Sequence, residues 1–347
     1  MQKFDNLIVG AGLAGVWMAF RFMQENKSFV LLDLIDENNS SRVAAGIYNP
    51  LLAKRQKVSY NAKNLYPNLY STYHELEILL HQKFCHRHQV SYIIENLREL
   101  NDWAALSETD WFGDFVMIQN ERISDNVISD FGYIDILDSG WVDIPLFLDS
   151  FISNVHAPNL FFNQKFDDNS LIVNQDNFQY NDFLFDHVVF CQGTAIDQNK
   201  FTSNIRLKPA KGEVLTIESE ETISHMIPQN GVFLLPISEK KYKVGSNFTW
   251  DKLDNIPTEA AKLEIIQKLC KWYKAPFEIT NHIAGVRPSS LDRRPILGRL
   301  DFHPKAYILN GFGSKGVSHA PYYSKMLSKL IYDNIIVDKD VDVCRFK

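Results

Sequence analysis

Apolar and polar residues form distinct patterns along the chain, and the clearest one lies at its start. An apolar run at residues 7–9 leads into a glycine-rich turn, and apolar residues then recur on one helical face from Val16 to Met23. A second apolar run, residues 29–32, ends in Asp33. The pattern predicts a strand, a turn, an amphipathic helix and a second strand.

The turn has the form of a dinucleotide-binding motif, G-x-G-x-x-G. Its first glycine permits a tight turn, the second lets the backbone approach a pyrophosphate, and the third brings helix and strand together. The helix N-terminus attracts phosphate, and an acid after the second strand would bind a ribose but repel a 2′-phosphate, which favours FAD or NAD over NADP. The alternative is a glycine-rich turn in another α/β fold. The predicted cofactor-binding residues are Gly10, Gly12, Leu13, Ala14, Gly15 and Asp33.

The rest of the chain alternates between helical and sheet-like stretches. Helical patterns cover residues 57–90, 144–155, 257–272 and a final segment to about Asn334, whereas residues 91–135 and 213–250 are typical of antiparallel sheet. We therefore predict an α/β (α+β) fold with a Rossmann-like nucleotide-binding domain and a β-rich substrate domain. The first is expected to comprise residues 1–82, 140–206 and 282–347, and the second residues 83–139 and 207–281.

Composition limits the class of protein. A chain of 347 residues that is 45% hydrophobic can bury two cores. Its formal net charge of −6 gives no general attraction to nucleic acid or anionic membranes. The four cysteines lack C-x-x-C spacing, so neither a disulfide framework nor a metal site is predicted. The apolar stretch at residues 7–20 is too short to span a bilayer, and we expect a cytoplasmic protein.

Two further glycine turns follow predicted strands. One is a second G-x-G-x-x-G at Gly311, Gly313 and Gly316, which precedes a helix but no second strand or ribose acid. The other contains Gly193. A helix N-terminus after such a turn suits an anionic or electron-rich atom. These turns indicate a cofactor contacted on several sides, although ordinary loop glycines would give the same spacing.

At this point the sequence resembles the D-amino-acid-oxidase-like (DAO) family of FAD-dependent oxidoreductases, with its glutathione-reductase-2-like fold. Within that family it is most similar to glycine oxidase and to the oxidoreductase half of the bifunctional enzyme of 5-methylaminomethyl-2-thiouridine biosynthesis in tRNA. Five blocks carry the resemblance: residues 8–15, 44–50 (AAGIYNP), 208–215 (KPAKGEVL), 285–298 (GVRP to PILG) and 311–317 (GFGSKGV).

The resemblance implies non-covalent FAD and oxidation of a C–N bond beside a carboxylate. Hydride passes to flavin N5, the imine hydrolyses, and oxygen usually reoxidises the flavin. The residues then expected along the isoalloxazine are Ala45, Gly46 and Ile47, and those expected at its pyrimidine end are Gly313, Ser314, Lys315 and Gly316.

The resemblance also implies substrate contacts. Arg287 matches the arginine that binds the substrate carboxylate, a role that suits bidentate guanidinium geometry. The alternative is a structural arginine paired with a carboxylate such as Asp292. Phe233 and Phe248 match pocket walls, or else pack in the core.

Phe233 stands where glycine oxidase has a tyrosine, so one hydroxyl contact to the substrate carboxylate is missing. Tyr48 or Tyr60 could restore it. Arg42 is expected either to contact the cofactor phosphates or to cap its loop.

Two histidines, His282 and His319, flank the C-terminal motifs. We assign neither a catalytic role, because hydride transfer from a neutral amine needs no protein base and a histidine near a domain interface is usually structural.

Three functions therefore remain open from the sequence. The first is a flavoenzyme that oxidises a small amine or amino acid, with molecular oxygen as the expected acceptor. The second is a tRNA-modifying oxidoreductase acting on a carboxymethylaminomethyl group of a wobble uridine, the only case in which nucleic acid is an expected partner. The third is a non-catalytic flavin-binding protein. The sequence predicts no membrane association and leaves the oligomeric state open.

Overall fold

The computed structural model describes residues 1–223 and 225–346, and within them the chain forms helices that mostly flank two large sheets. The α-helices of this part of the chain are α1 (Leu13–Gln24), α2 (Ser40–Val43), α3 (Ala62–Leu65), α4 (Leu69–Leu80), α5 (Leu97–Ser107), α6 (Ile144–Ser153), α7 (Glu259–Leu269) and α8 (Gly316–Asp333). Over the same residues, no helix is both long enough and apolar enough to pass through a bilayer.

The strands of the described residues are β1 (Gln2–Val9), β2 (Phe29–Asp33), β3 (Ile47–Tyr48), β4 (Leu51–Leu52), β5 (Lys57–Val58), β6 (Cys85–His86), β7 (Gln89–Ile93), β8 (Val116–Gln119), β9 (Tyr133–Ile136), β10 (Gly140–Val142), β11 (Leu160–Asn163), β12 (Leu171–Val173), β13 (Phe178–Tyr180), β14 (Phe183–Phe190), β15 (Ala210–Ser219), β16 (Met226–Asn230), β17 (Val232–Ser238), β18 (Lys241–Gly245), β19 (Phe277–Arg287), β20 (Ile296–Arg299) and β21 (Ala306–Asn310).

The first sheet has a parallel centre. β1 lies between β2 and β14, β11 extends the sheet beyond β2, and β21 pairs with β14 in the same direction. Leu7 and Ile8 on the two faces of β1 are fully buried, as expected for a strand covered on both sides. The loops that follow β1, β2, β14 and β21 therefore meet at one edge of the sheet, where ligands bind in such folds.

The second sheet has the order β19-β15-β18-β17-β16-β7-β9-β8 and is antiparallel except for the β16–β7 pair. Its longest pairing, β15 with β19, sets Ala210 opposite Arg287 and Gly212 opposite Gly285. α7 packs against this sheet with Ile265 and Leu269 fully buried. The fold is the mixed α/β architecture with a β-rich second layer that the sequence predicts.

Two sequence predictions need correction, and a third, the domain boundary, stays a prediction. The stretch 57–90, predicted as helical, contains only α3 and α4 as helices, with β5 before them and β6 after. Within the predicted sheet region 91–135 lies helix α5, which begins after the capping side chain of Asn96. The predicted domain boundary at residue 282 falls inside β19, and we propose residue 287 as the end of the second layer.

Candidate cofactor and substrate site

The turn after β1 is built from glycines that pack against backbone. A Cβ on Gly15 would overlap the carbonyl of Gly10, so only glycine lets α1 approach β1 this closely. Gly10 has a φ of +105°, and a Cβ there would lie 2.6 Å from the carbonyl oxygen of Cys191. Gly12, the N-cap residue of α1, has no side chain that could bind the first N–H groups of the helix. The turn thus offers the positive end of a helix to an anion.

Asp33, the last residue of β2, lies beside this turn. Its Oδ2 accepts a hydrogen bond from the N–H of Ala11 at 2.8 Å. Burial raises the pKa of Asp33, and the backbone N–H groups of Ala11 and Leu34 act in the opposite direction. The carboxylate lines the same cavity as Gly10 and Gly12, where the motif predicts a ribose.

A cavity of about 1020 Å³ runs from the edge of the first sheet to the second sheet. This volume lies at the upper end for small-molecule sites and suits a large cofactor together with a substrate. The predicted cofactor residues that line it are Gly10, Gly12, Leu13, Ala14, Asp33, Ala45, Gly46, Ile47, Gly193, Gly313, Ser314 and Gly316. From the second layer the lining includes Gly212, Val214, Phe233, Ser246, Asp254 and Arg287.

The segment before β3 forms one wall of this cavity. Gly46 packs directly against β10: a Cβ on it would overlap the carbonyl of Val142, whose N–H donates to the Gly46 carbonyl at 3.0 Å. Backbone contacts with β10 therefore hold the wall formed by Ala45, Gly46 and Ile47 in place.

The second glycine motif follows β21 and precedes α8. Gly313, Ser314 and Gly316 line the cavity, but Lys315 does not. Its Nζ donates instead to the carbonyl of Asn49 at 2.9 Å. Lys315 therefore ties this turn to the loop after β3.

Arg42 lies outside the lining of the cavity. Its buried guanidinium forms a bidentate ion pair with Asp149 of α6, in which Nη1 lies 3.2 Å from Oδ2, and it also lies 3.5 Å from Glu37. The bond to Asp149 raises the pKa of Arg42. Because its charge is already compensated, the structure favours the structural alternative over a phosphate contact.

Arg287, at the end of β19, lines the cavity on the side formed by the second sheet. Nη2 donates to Ser246 Oγ at 2.8 Å, and Nη1 donates to the carbonyls of Lys211 and Asn247 at 3.3 and 3.4 Å. The guanidinium carbon lies 4.2 Å from the ring centre of Phe248. Burial lowers the pKa of Arg287 to about 10, so the group stays charged at neutral pH.

None of the carboxylates in the described part of the chain pairs with Arg287. Asp292, the predicted alternative partner, accepts from Arg345 instead, with Nε 2.8 Å from its Oδ2. A largely buried cation without a counter-charge is costly unless an anion joins it. The guanidinium of Arg287 is therefore positioned to bind an anion.

The predicted pocket aromatics occupy three different environments. Phe233 lines the cavity. Phe248 lies outside the lining, 49% exposed, and covers the guanidinium of Arg287. Tyr48 is buried elsewhere, with its hydroxyl 3.9 Å from Cys85 Sγ. Successive residues of a strand face opposite sides, so Ile47 of β3 takes the cavity side and Tyr48 points away.

Tyr60 does not restore the missing hydroxyl either, since its ring lies 5.0 Å from the guanidinium carbon of Arg294 and outside the lining. Neither His282 nor His319 lines the cavity. His319 is buried in α8, and this burial, with Lys315 nearby, lowers its pKa to about 3.

Sequence reasoning missed three residues that line the cavity from the second layer: Gly212, Ser246 and Asp254. Gly212 lies within the block 208–215, so its glycine was a usable signal. Ser246 and Asp254 lie in a polar segment without a motif, and only the fold brings them to the cavity.

The sequence profile described as "DAO: FAD dependent oxidoreductase" matches residues 5–330 of the chain. Among curated proteins, the tRNA 5-methylaminomethyl-2-thiouridine biosynthesis bifunctional protein MnmC of Legionella pneumophila (strain Corby) is 22% identical, over 95% of this chain and 54% of its own length. The chain thus spans about half the length of the curated relatives it matches.

Solved structures show the same fold. Glycine oxidase from Geobacillus kaustophilus aligns with a TM-score of 0.77 at 15% identity, covering 100% of this chain and 98% of that one. Iminodiacetate oxidase from Chelativorans sp. BNC1 aligns with a TM-score of 0.78 at 19% identity, covering 97% and 98% of the two chains. The resemblance stated from the sequence blocks is confirmed.

Proposed function

The chain belongs to the DAO family of FAD-dependent oxidoreductases, and from this premise we propose that it oxidises the C–N bond of a small amine or amino acid that carries a carboxylate. FAD, when bound, would be the oxidant, and flavin N5 would supply the hydride acceptor. The observation that carries the proposal is Arg287, a largely buried guanidinium on the cavity wall to which no described carboxylate is paired.

The described residues fit the cofactor. Glycine turns follow β1, β14 and β21 at one edge of the sheet, and Asp33 ends β2 at the same edge. The turn after β1 would hold the diphosphate through backbone N–H groups, and Asp33 would accept hydrogen bonds from the ribose. The wall of Ala45, Gly46 and Ile47 and the turn of Gly313 and Ser314 would enclose the flavin ring.

Arg287 retains donors for a substrate. A guanidinium has five N–H groups, and the described acceptors, the Lys211 and Asn247 carbonyls and Ser246 Oγ, take three of them. The Nε–H and one Nη2–H remain for a carboxylate, which suits a bidentate pair. These contacts fix the guanidinium in place, so a bound acid would be oriented as well as attracted.

The proton of the amine needs separate treatment, because only an amine with a free lone pair releases hydride readily. Of the residues described, none of those lining the cavity is a histidine. We infer that the amine loses its proton to solvent and then binds as the free base. The rate should therefore rise with pH as the substrate amine deprotonates.

The direct experiment is anaerobic reduction of the bound flavin. The purified protein is mixed with glycine, N-methylglycine, iminodiacetate and a series of D-amino acids, and the flavin absorbance is followed. We expect at least one carboxylated amine to bleach the flavin. Failure of the whole panel, with FAD bound and the protein folded, would contradict the proposal.

A second candidate, oxidation of a carboxymethylaminomethyl group on a tRNA wobble uridine, is favoured by one surface feature. Phe248 and Trp250 stack with ring centres 6.3 Å apart and planes 22° apart, and they are 49% and 53% exposed. Such a pair beside Arg287 suits a base that carries a carboxylate. The net charge of −6 opposes tRNA binding. Mass spectrometry of wobble uridines from a deletion strain decides it, since an unchanged nucleoside profile excludes this function.

A further inference from the structure

Residues 246–258 connect β18 to α7 and close the substrate end of the cavity. Ser246, Leu253, Asp254 and Asn255 from this segment line the cavity. Ser246 Oγ and the Asn247 carbonyl accept hydrogen bonds from Arg287. The position of this segment therefore sets both the shape of the substrate end and the orientation of the guanidinium.

A buried lysine holds the middle of the segment. Lys211 of β15 is 1% exposed, and its Nζ donates to Asp254 Oδ1 at 2.6 Å and to the carbonyl of Ile256. Its own backbone N–H and carbonyl pair with the carbonyl and N–H of Thr249 at 2.9 and 3.1 Å. Lys211 thus contacts the segment at three separate places.

Glu213, two residues further along β15, is hydrogen-bonded to both ends of the 246–258 segment. Its carboxylate accepts from the N–H and the hydroxyl of Thr258 at 2.8 and 2.9 Å, and its own N–H donates to Asn247 Oδ1 at 2.9 Å. Glu213 Oε1 also lies 3.7 Å from Lys211 Nζ, which balances charge inside the cluster. The ammonium is therefore partnered on both sides.

The strand periodicity explains why these roles fall on consecutive residues. Lys211 and Glu213 face one side of β15, whereas position 212 faces the other. On that other side, a Cβ on Gly212 would overlap the guanidinium of Arg287. One strand therefore anchors the 246–258 segment and leaves the space that the guanidinium occupies.

We propose that Lys211 is a positioning residue: its ammonium fixes the 246–258 segment over the substrate end of the cavity and so keeps Ser246 and Asn247 in place to orient Arg287. Burying a lysine costs free energy that an apolar side chain of similar size would not, and a polar network at such a site specifies one geometry. The catalytic consequence rests on the proposed function, but the structural role does not.

The structural role is tested by hydrogen exchange on the FAD-loaded protein without substrate. In Lys211→Met we expect the peptide amides of residues 246–258 to exchange roughly tenfold faster or more, because the segment opens locally more often. The matched control is Lys240→Met, which removes a lysine from the exposed ion pair with Glu220. Exchange in 246–258 should be unchanged in that variant.

A second variant approaches the same contact from the segment. Asp254→Ala removes the side-chain acceptor of Lys211 from the 246–258 segment and leaves β15 intact, so it decides the question if Lys211→Met does not fold. Faster exchange confined to 246–258 supports the proposal. If Lys211→Met folds, wild-type exchange rates in that variant overturn the proposal. If it does not fold, wild-type exchange rates in Asp254→Ala overturn it.

The effect on Arg287 is then measured with a substrate that bleaches the wild-type flavin. A displaced guanidinium should raise KM roughly tenfold to a hundredfold and change kcat less, since carboxylate binding is lost throughout the reaction. Faster exchange with an unchanged KM would overturn the positioning role. If the wild-type protein oxidises no amine, the proposed function fails, whereas the exchange comparison still stands or falls alone.

Discussion

The guanidinium of Arg287 occupies the space that a side chain at position 212 would need. A Cβ built on Gly212 would overlap all three terminal atoms of that group, Nη1, Nη2 and the guanidinium carbon. Position 212 pairs with Gly285 on the neighbouring strand β19, two residues before Arg287. The missing side chain at Gly212 of β15 therefore leaves the space that the guanidinium of Arg287 on β19 occupies.

A side chain at position 212 should displace the guanidinium of Arg287 while leaving the arginine itself in the sequence. We expect Gly212→Ala to lower kcat/KM by about a hundredfold, because the guanidinium must move by an ångström or more. Steady-state kinetics with FAD content and melting temperature as fold checks would measure this. The double variant with Arg287→Met should be no worse than Arg287→Met alone, and additive losses would contradict the link.

Removing the guanidinium itself should have the larger effect. Arg287→Met is expected to cost about 2–5 kcal/mol in kcat/KM, because a desolvated substrate carboxylate would lose its partner. Arg287→Lys should recover part of the loss, since it keeps the charge but not the paired N–H groups. Unchanged kinetics in the methionine variant would rule out Arg287 as the carboxylate site.

Asp33→Asn should separate cofactor binding from stability. Because the pKa of Asp33 is raised in the folded protein, its protonated carboxyl group stabilises the apoprotein at low pH. This stabilisation is lost as the pH rises through the folded pKa and the group ionises. At neutral pH the asparagine variant without FAD should therefore melt at a higher temperature than the wild-type apoprotein.

The same variant should bind FAD about tenfold more weakly, because a neutral amide accepts weaker hydrogen bonds than a carboxylate. Calorimetric melting of the apoprotein and fluorescence titration with FAD measure the two effects. An unchanged FAD dissociation constant would remove Asp33 from the ribose site.

His319 should make the folded protein sensitive to acid. Its folded pKa of about 3 lies below the ordinary histidine value, so the unfolded chain takes up a proton below about pH 6.5 and the native state does not. Its contribution is therefore present above pH 6.5 and is lost as pH falls toward 3. From pH 6.5 to 4.5 this costs about 2–3 kcal/mol.

Denaturant unfolding of His319→Gln over that pH range should show a shallower loss of stability than the wild type. His156→Gln is the matched control, because it makes the same substitution at an exposed histidine. Equal pH slopes for the wild type and His319→Gln would contradict the account of a neutral, buried imidazole.

Local patterns in the sequence identified the glycine turn and Asp33, which lie together at one edge of the first sheet, because the features that define them are local. Gly15 packs against the carbonyl of Gly10 within the same turn, and Asp33 ends the neighbouring strand. Helix α5 was missed although Leu97, Leu100 and Trp103 recur at helical spacing, because the apolar runs on either side of it, residues 90–94 and 115–118, indicate strands.

The substrate side was harder to predict because its contacts join distant residues. Lys211 and Asp254 lie 43 positions apart, and Arg287 meets Ser246 across 41. No pattern within either segment encodes these pairs. The orientation of Tyr48 depends on which face its two-residue strand turns to the cavity, and that is decided by pairing with β10.

The most direct test of the central claim compares two substrates that differ only in the carboxylate. Anaerobic stopped-flow reduction of the bound flavin is measured with a carboxylated amine that is oxidised and with the corresponding amide, in the wild type and in Arg287→Met. The account predicts rapid reduction by the acid alone in the wild type and no preference for the acid in the variant. Equal reduction by acid and amide in the wild type would contradict it.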